Sequence, residues 1–335
     1  MRASKLARRL PVLLAVVLAA CSLLLAPARA QEPARRLVRI GFVHPHSASS
    51  ATHGVTAFWD RLHELGYVEG SNLQIEARWA DGHTERLPEL AAEVLARKPD
   101  LLVTYGTPAA LAAKHATSTV PIVGVAMGEP LRTGLVTSLA HPDGNLTGTS
   151  VGWAEGIGGK WLELLRELVP RLADVAVIED PDNPIARDLA ADLKAIGPTR
   201  RLNVRFVEVR EPSALDRVFG QAARKAQACI VLPAPFISAH RAQVTALAAK
   251  HRLPAIYYLR DYVDAGGLMA YAPDMDAQFR RAADYAGKIL NGARPADLPI
   301  EQPTRWALIV NVKAARALGL TIPESILLRA DEVIR

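Results

Sequence analysis

From Val38 onward, short apolar and β-branched runs alternate with longer segments in which apolar residues recur three and four positions apart. Residues 39–43 (RIGFV), 73–79 (LQIEARW), 100–106 (DLLVTYG) and 121–127 (PIVGVAM) have the length and composition of strands; residues 55–66, 86–98 and 108–116 between them carry the helical period. Strand and helix in alternation predict a parallel sheet covered on both faces.

The same order restarts after Ala173. Residues 174–180, 204–210, 228–234 and 254–260 predict strands, and residues 184–197, 213–226 and 239–252 predict helices. The repetition extends to wording, because Leu111 to His115 and Leu247 to His251 both read LAAKH, each followed by a proline that opens the next strand (Pro121, Pro254). A period this long describes two similar lobes rather than a solenoid. The fold class is therefore α/β, with two doubly wound parallel-sheet lobes.

The C-terminal part supplies too little for a third lobe: one strand at 266–271, one helix at 276–290 and another strand at 307–312. Such a tail passes back across both lobes and makes a multi-strand hinge, placed near 149–153, 271–274 and 302–305. The N-terminal lobe then comprises 37–150 plus 274–301, and the C-terminal lobe 153–271 plus 305–335.

Residues 1–30 stand apart. Four cations precede an uncharged apolar stretch, and Ala28-Arg29-Ala30 offers small residues where a signal peptidase reads, which predicts a secretory signal cleaved after Ala30. Two rival readings are a retained anchor and a lipoprotein, since Leu18-Ala19-Ala20-Cys21 fits a lipid-attachment box. Of the 40 Lys and Arg residues five lie in this segment, which holds no acid, so 35 cations remain against 34 acids. That near-neutrality removes the motive for a nucleic-acid partner. With Cys21 removed, Cys229 is left without a disulfide partner, inside the apolar run Ala228 to Leu232, and reads as a small buried hydrophobe.

Sheets of this kind bind ligands beyond the carboxyl ends of their strands. Those ends carry VHPHSASS (43–50), YGTP (105–108) and AMGEP (126–130) in the first half, and EDPDNP (179–184), PAPF (233–236) and YYLRD (257–261) in the second. Thr107 reads as an N-cap with Pro108 at the first helical position, a start whose amides and dipole favour a carboxylate. The bland alternative is an ordinary cap facing water. Tyr105, Phe236, Tyr257, Tyr258 and Tyr271 offer rings for a planar solute or for the core.

Other chemistries find weaker support. No glycine-rich phosphate loop follows a strand; at Gly159-Lys160, Ala154 replaces the needed first glycine and Trp161 the hydroxyl residue. Gly148-Thr149-Ser150-Val151-Gly152 matches G-x-S-x-G, but the NLTG lead-in reads as a turn and the next helix starts near Gly159, which is the wrong setting for a serine nucleophile. His44 and His46, with His53 nearby, lack the helical spacing of a zinc site and read as solvent-facing or ligand-brushing. Glu179, Asp180 and Asp182 lack the glycine and glutamate of a calcium loop, and read as partners for a ligand amine or as caps for the helix from Pro184.

The chain resembles the extracytoplasmic substrate-binding proteins of ABC importers, whose fold is that of type I periplasmic binding proteins. The resemblance rests on LGYVEGSNLQIEARWADG (65–82), YGTPAALAAK, VPIVGVAMGEPLRTGLVTSLAHPDGNLTGTS, HRLPAIYYLRDYVDAGGLMAYAPD and LPIEQPTRWALIVNVKAARALGLTIPESILLRADEVI, which together run through nearly the whole chain after the signal. It implies capture without chemistry or cofactor: a small solute held between lobes that close on it, then delivery to a membrane permease and its ATPase. It also implies a solute gripped by Ser47, Ser49 and Ser50, by Gly106 and Thr107, and by Ala126, Met127 and Glu129, with Asp180, Asn183, Phe236 and Tyr258 from the second lobe. Similar sequences usually carry Asp where Glu129 stands and often Ser-Pro in place of His44-Pro45. An amino acid, aromatic first, is the solute suggested by the helix start, the acidic loop and the tyrosines. The other readings are a sensor module feeding a receptor and a hydrolase using Ser150.

Overall fold

The computed structural model describes residues 36–49, 53–152 and 156–335. Its strands form two sheets. The first is built from β1 (Val38–His44), α1 (His53–Glu64), β2 (Leu73–Trp79), α2 (Leu87–Ala96), β3 (Leu101–Tyr105), α3 (Gly106–Ala116), β4 (Ile122–Met127) and β5 (Leu146–Ser150). Its strands lie in the order β2-β1-β3-β4-β5, all parallel.

The second sheet begins after α4 (Ile157–Leu168) with β6 (Asp174–Glu179), α5 (Pro184–Thr199), β7 (Asn203–Glu208), α6 (Leu215–Ala223) and β8 (Ala228–Val231). There follow α7 (Pro235–Ala239), α8 (Arg241–Lys250), β9 (Ala255–Tyr257), α9 (Arg260–Asp264) and β10 (Met269–Pro273). The chain then forms α10 (Met275–Leu290), β11 (Trp306–Asn311), α11 (Val312–Ala317), α12 (Glu324–Arg329) and β12 (Glu332–Ile334). The strand order is β12-β11-β10-β9-β8-β6-β7.

Two features correct the pattern-based reading. The second sheet is not wholly parallel, because β11 runs antiparallel to β10, and β12 then adds a further strand beside β11. The turn ends at Asn145, and Leu146–Ser150, read as a lead-in without a strand, is a buried strand beside β4. Its polar composition hid it. The Thr147 hydroxyl donates to the Leu298 carbonyl (2.7 Å), and Thr149 Oγ1 accepts from the Ala126 amide (3.0 Å), so burial costs these side chains no hydrogen bond.

Between the sheets the chain passes three times: after Ser150, between Pro273 and Met275, and between Glu301 and Trp306. The middle passage matters most. Helix α10 follows a strand of the second sheet yet packs on the first, against α1, β4 and β5. Its Phe279 is buried, and Arg61–Asp284 (2.7 Å) and Arg280–Glu64 (2.8 Å) tie it to α1 at the surface. Beside it, Glu301 pairs with β5, accepting from the Ser150 amide (2.8 Å) and donating its own to Gly148 (3.1 Å).

Gly148 shows how tightly β5 is held. Its φ is +137°, and a Cβ there would stand 1.9 Å from the carbonyl oxygen of Gly124 on β4, where backbone would have to move. Gly144 has a φ of +82° with open space around it. Gly144→Ala therefore carries only the conformational cost of about 1 kcal/mol, whereas Gly148→Ala should lose roughly 3 kcal/mol or more. Denaturant midpoints of the two variants check this; equal losses would show that β5 can slide away from β4.

Candidate functional site: a cleft between the two sheets

The carboxyl ends of β1 and β3 lie side by side, in register up to Val43 and Thr104. One step further, His44 and Tyr105 occupy the same face, and their rings stack with centroids 4.5 Å apart and planes 5° from parallel. Phe279 of α10 continues the column on Tyr105 (5.4 Å, 14°), and Phe42 continues it on His44 (5.8 Å, 20°). This column is one wall of a cavity of about 460 Å³, a volume in the range of small-molecule sites.

The facing wall comes from the second sheet. Ser238 of α7, Arg241 at the first position of α8, and Leu259, Asp261 and Tyr262 at the β9–α9 turn line it, with Arg260 and Glu332 at the rim. The Ser238 hydroxyl is bonded to the hydroxyls of both Tyr258 and Tyr262, the latter at 3.3 Å. Arg260 is held by Glu332 and by Asp264 (3.2 Å), so its charge is spent within the protein.

Burial decides the protonation of the first wall. His44 and His46 are both buried, and His46 is lowered to about 4, first by desolvation and then by the Arg241 guanidinium. His44 is held well below the usual histidine range by desolvation and then by His46. The main-chain amide of His46 donates to Nδ1 of His44 (3.1 Å), so the neutral His44 ring carries its hydrogen on Nε2. Burial likewise pushes the Tyr105 phenol up, keeping it neutral.

Of the two readings of these histidines, solvent-facing or ligand-brushing, the first is corrected for His44 and His46, which are buried cavity wall. Among the described residues no three His, Cys, Asp or Glu side chains gather as metal ligands would. Thr107 is not an N-cap. Tyr105 occupies the cap position of α3, and the buried Thr107 hydroxyl accepts from the Gly128 amide (2.8 Å) and donates to its carbonyl (3.0 Å), tying the two loops together. At α5 the cap is Asn183, whose Oδ1 accepts from Ile185, while Asp180 accepts from the Asp182 amide within its own turn.

Gly106, Thr107, Ala126, Asn183 and Tyr258 meet at a second, apolar cavity of about 60 Å³, which shares His46, Tyr105 and Leu259 with the larger one. Ser47, Ser49, Met127, Glu129, Asp180 and Phe236 line neither. Met127 is turned into the first lobe, Ser47 and Ser49 hydrogen-bond each other, and Glu129 is partly buried with its carboxyl raised by desolvation. Ser50, Cys21 and the cleavage point after Ala30 fall outside the described residues. Arg241, Tyr262 and Phe279 lie outside the strand-end segments marked by the sequence. Asp261 closes the YYLRD segment already singled out, whereas Arg241 and Phe279 are reached by helices whose cavity-facing positions no periodicity marks.

The lobes touch around this cavity. Ile185 of α5 packs against Gly128, Phe236 and Ala239 approach Gly82, and Arg132 pairs with Asp188 (2.9 Å). Ser150 is buried at the end of β5, and α4 starts only at Ile157, so no strand–nucleophile–helix elbow forms.

Two α/β lobes shut over a cavity walled by rings and charges define a solute-binding protein of the two-lobed kind. The chain belongs to the ABC transporter substrate binding protein family, whose sequence model matches residues 39–334. A tyrosine-binding protein of Clostridioides difficile is 25% identical over 263 residues, 78% of this chain and 75% of that one. A conserved domain protein from Vibrio cholerae superposes with a TM-score of 0.83 at 25% identity, covering 89% of this chain and 100% of the other. A domain from Streptococcus pneumonia in complex with L-Trp superposes at 0.81, also 25% identical, covering 89% and 99%. The family binds solutes outside the cytoplasm for ABC transporters.

His46 makes the cleft sensitive to acid. Because its pKa falls from 6.5 to about 4 on folding, the unfolded chain binds the extra proton between those values; the stabilisation is complete above pH 6.5 and lost as pH falls toward 4. Between pH 7 and 4.5 the wild type should lose roughly 2–3 kcal/mol more than His46→Gln. Urea unfolding of both proteins at the two pH values measures the difference, and parallel losses would mean that His46 is solvated.

Proposed function

We propose that the protein captures an α-amino acid with an aromatic side chain in the larger cavity and delivers it, chemically unchanged, to an ABC permease and its ATPase. The observation that carries this reading is the column His44–Tyr105–Phe279 facing a wall that bears both signs of charge, Arg241 and Asp261. An aromatic ring suits the side of the column by edge-to-face contact, and a zwitterion suits the opposite wall. The tyrosine and L-Trp named for the relatives support the same solute class.

In this reading the lobes, 37–150 plus 274–301 and 153–271 plus 305–335, turn about the three passages between the sheets. Contacts made to both lobes exist only when they are closed, so the solute shifts the equilibrium by that differential affinity, and the permease reads the closed face. Gly106, Thr107, Ala126, Asn183 and Tyr258 line a space of about 60 Å³ beside the solute, room for roughly two waters. We place the protein in the periplasm after export, cleaved after Ala30 or, alternatively, lipidated at Cys21.

Calorimetry with L-phenylalanine, L-tyrosine and L-tryptophan tests the proposal. At a hundredfold excess over the dissociation constant, a true ligand adds about 2.7 kcal/mol of stability, visible as a rise in melting temperature. Tyr105→Ala should weaken that ligand about tenfold or more, because it removes a ring edge from the wall and the ring that holds His44 and Phe279 in the column. Mass spectrometry after prolonged incubation should return the ligand intact. Failure of all three amino acids to bind, or appearance of a product, would remove the reading.

A further inference from the structure

Two cations line the larger cavity among the described residues, and they differ in one respect. Arg260 is neutralised by Glu332 and Asp264, whereas Arg241 has no carboxylate within ion-pair distance among the described residues. The bond recorded for its guanidinium is a long one, from Nη1 to the Ser238 carbonyl at 3.4 Å.

The surroundings of Arg241 make this costly. It is partly buried and occupies the first position of α8, where the helix dipole disfavours a cation, and the first turn of α8 holds no acid to compensate. Arg241 also acts electrostatically on His46, which belongs to the opposite lobe and stays neutral beside it. A cation kept at a helix start, against a neutral imidazole and without a counter-ion, breaks local rules that sequences break at functional sites. An anion in the cavity would satisfy the guanidinium and the dipole together.

We infer that Arg241 is the residue that holds the solute's carboxylate, and thereby sets which end of the solute faces the second lobe. This deepens the amino-acid reading and rests on it. The α8 start, and not the α3 start at Thr107, then provides the anion subsite, since the Thr107 hydroxyl is already committed to Gly128. The solute must carry a free carboxylate. Its ring end lies toward the aromatic column, and a guanidinium fork, more than a point charge, fits the carboxylate.

The test pairs acids with their amides: L-phenylalanine, L-tyrosine, L-tryptophan and L-leucine, each against its α-carboxamide, by calorimetry on wild type, Arg241→Gln and Arg241→Lys. Circular dichroism and melting temperature establish that the variants are folded. The wild type should prefer each bound acid over its amide by about a hundredfold, because an amide leaves the cation unpaired. In Arg241→Gln that preference should shrink to a few-fold through weaker binding of the acid, with Arg241→Lys intermediate. Aromatic acids bound with their preference intact in Arg241→Gln would overturn the anchor and leave the aromatic amino-acid reading standing. Binding of leucine alone, with the preference abolished in Arg241→Gln, would do the reverse. Amides bound as well as acids by the wild type would also overturn the anchor, and no binding by any member would overturn both.

Discussion

The return of α10 from the second sheet to the first is the constraint on which the rest of the structure depends. A helix that leaves β10 and packs on α1, β4 and β5 prevents either half of the chain from completing itself locally. It also brings Phe279 to Tyr105, so the packing that joins the lobes finishes the wall of the cavity. Fold and site share this contact. The neighbouring passage at Glu301 reinforces it by hydrogen-bonding directly to β5.

Contacts across the mouth are slight by comparison. Arg132–Asp188 is an exposed pair of the sort worth about 1 kcal/mol or less, and Ile185 against Gly128 adds a single aliphatic side chain. Phe236 and Ala239 against Gly82 add a further apolar contact. In the proposed reading, a solute that touches both walls favours the closed arrangement by the contacts it adds there.

The cavity itself joins two environments. On the first lobe, stacked rings and dehydrated imidazoles make a neutral stretch of wall, and Asp274 and Asp276 at the start of α10 add carboxylates beside it. On the second, Arg241, Asp261 and the Ser238–Tyr262 hydroxyls keep polar groups at the surface of the cavity. Solutes with one flat apolar end and one polar end match this division better than uniformly polar or uniformly apolar ones.

The doubled strand–helix order and the α/β class were legible in the sequence, because parallel strands buried on both faces are written as unbroken apolar runs. β5 was not, since its threonines are buried through bonds to Leu298 and Ala126 that lie far away in sequence. Thr107 matched a cap signature, but Gly128 took its hydroxyl. His44 and His46 looked like loop histidines until Tyr105, Trp79 and Arg241 closed around them. Local periodicity by itself determined the elements and their class. Which side chains meet, which lose water and which cavity cation lacks a carboxylate among the described residues were decided only by tertiary structure, because desolvation and pairing depend on neighbours that no local pattern records.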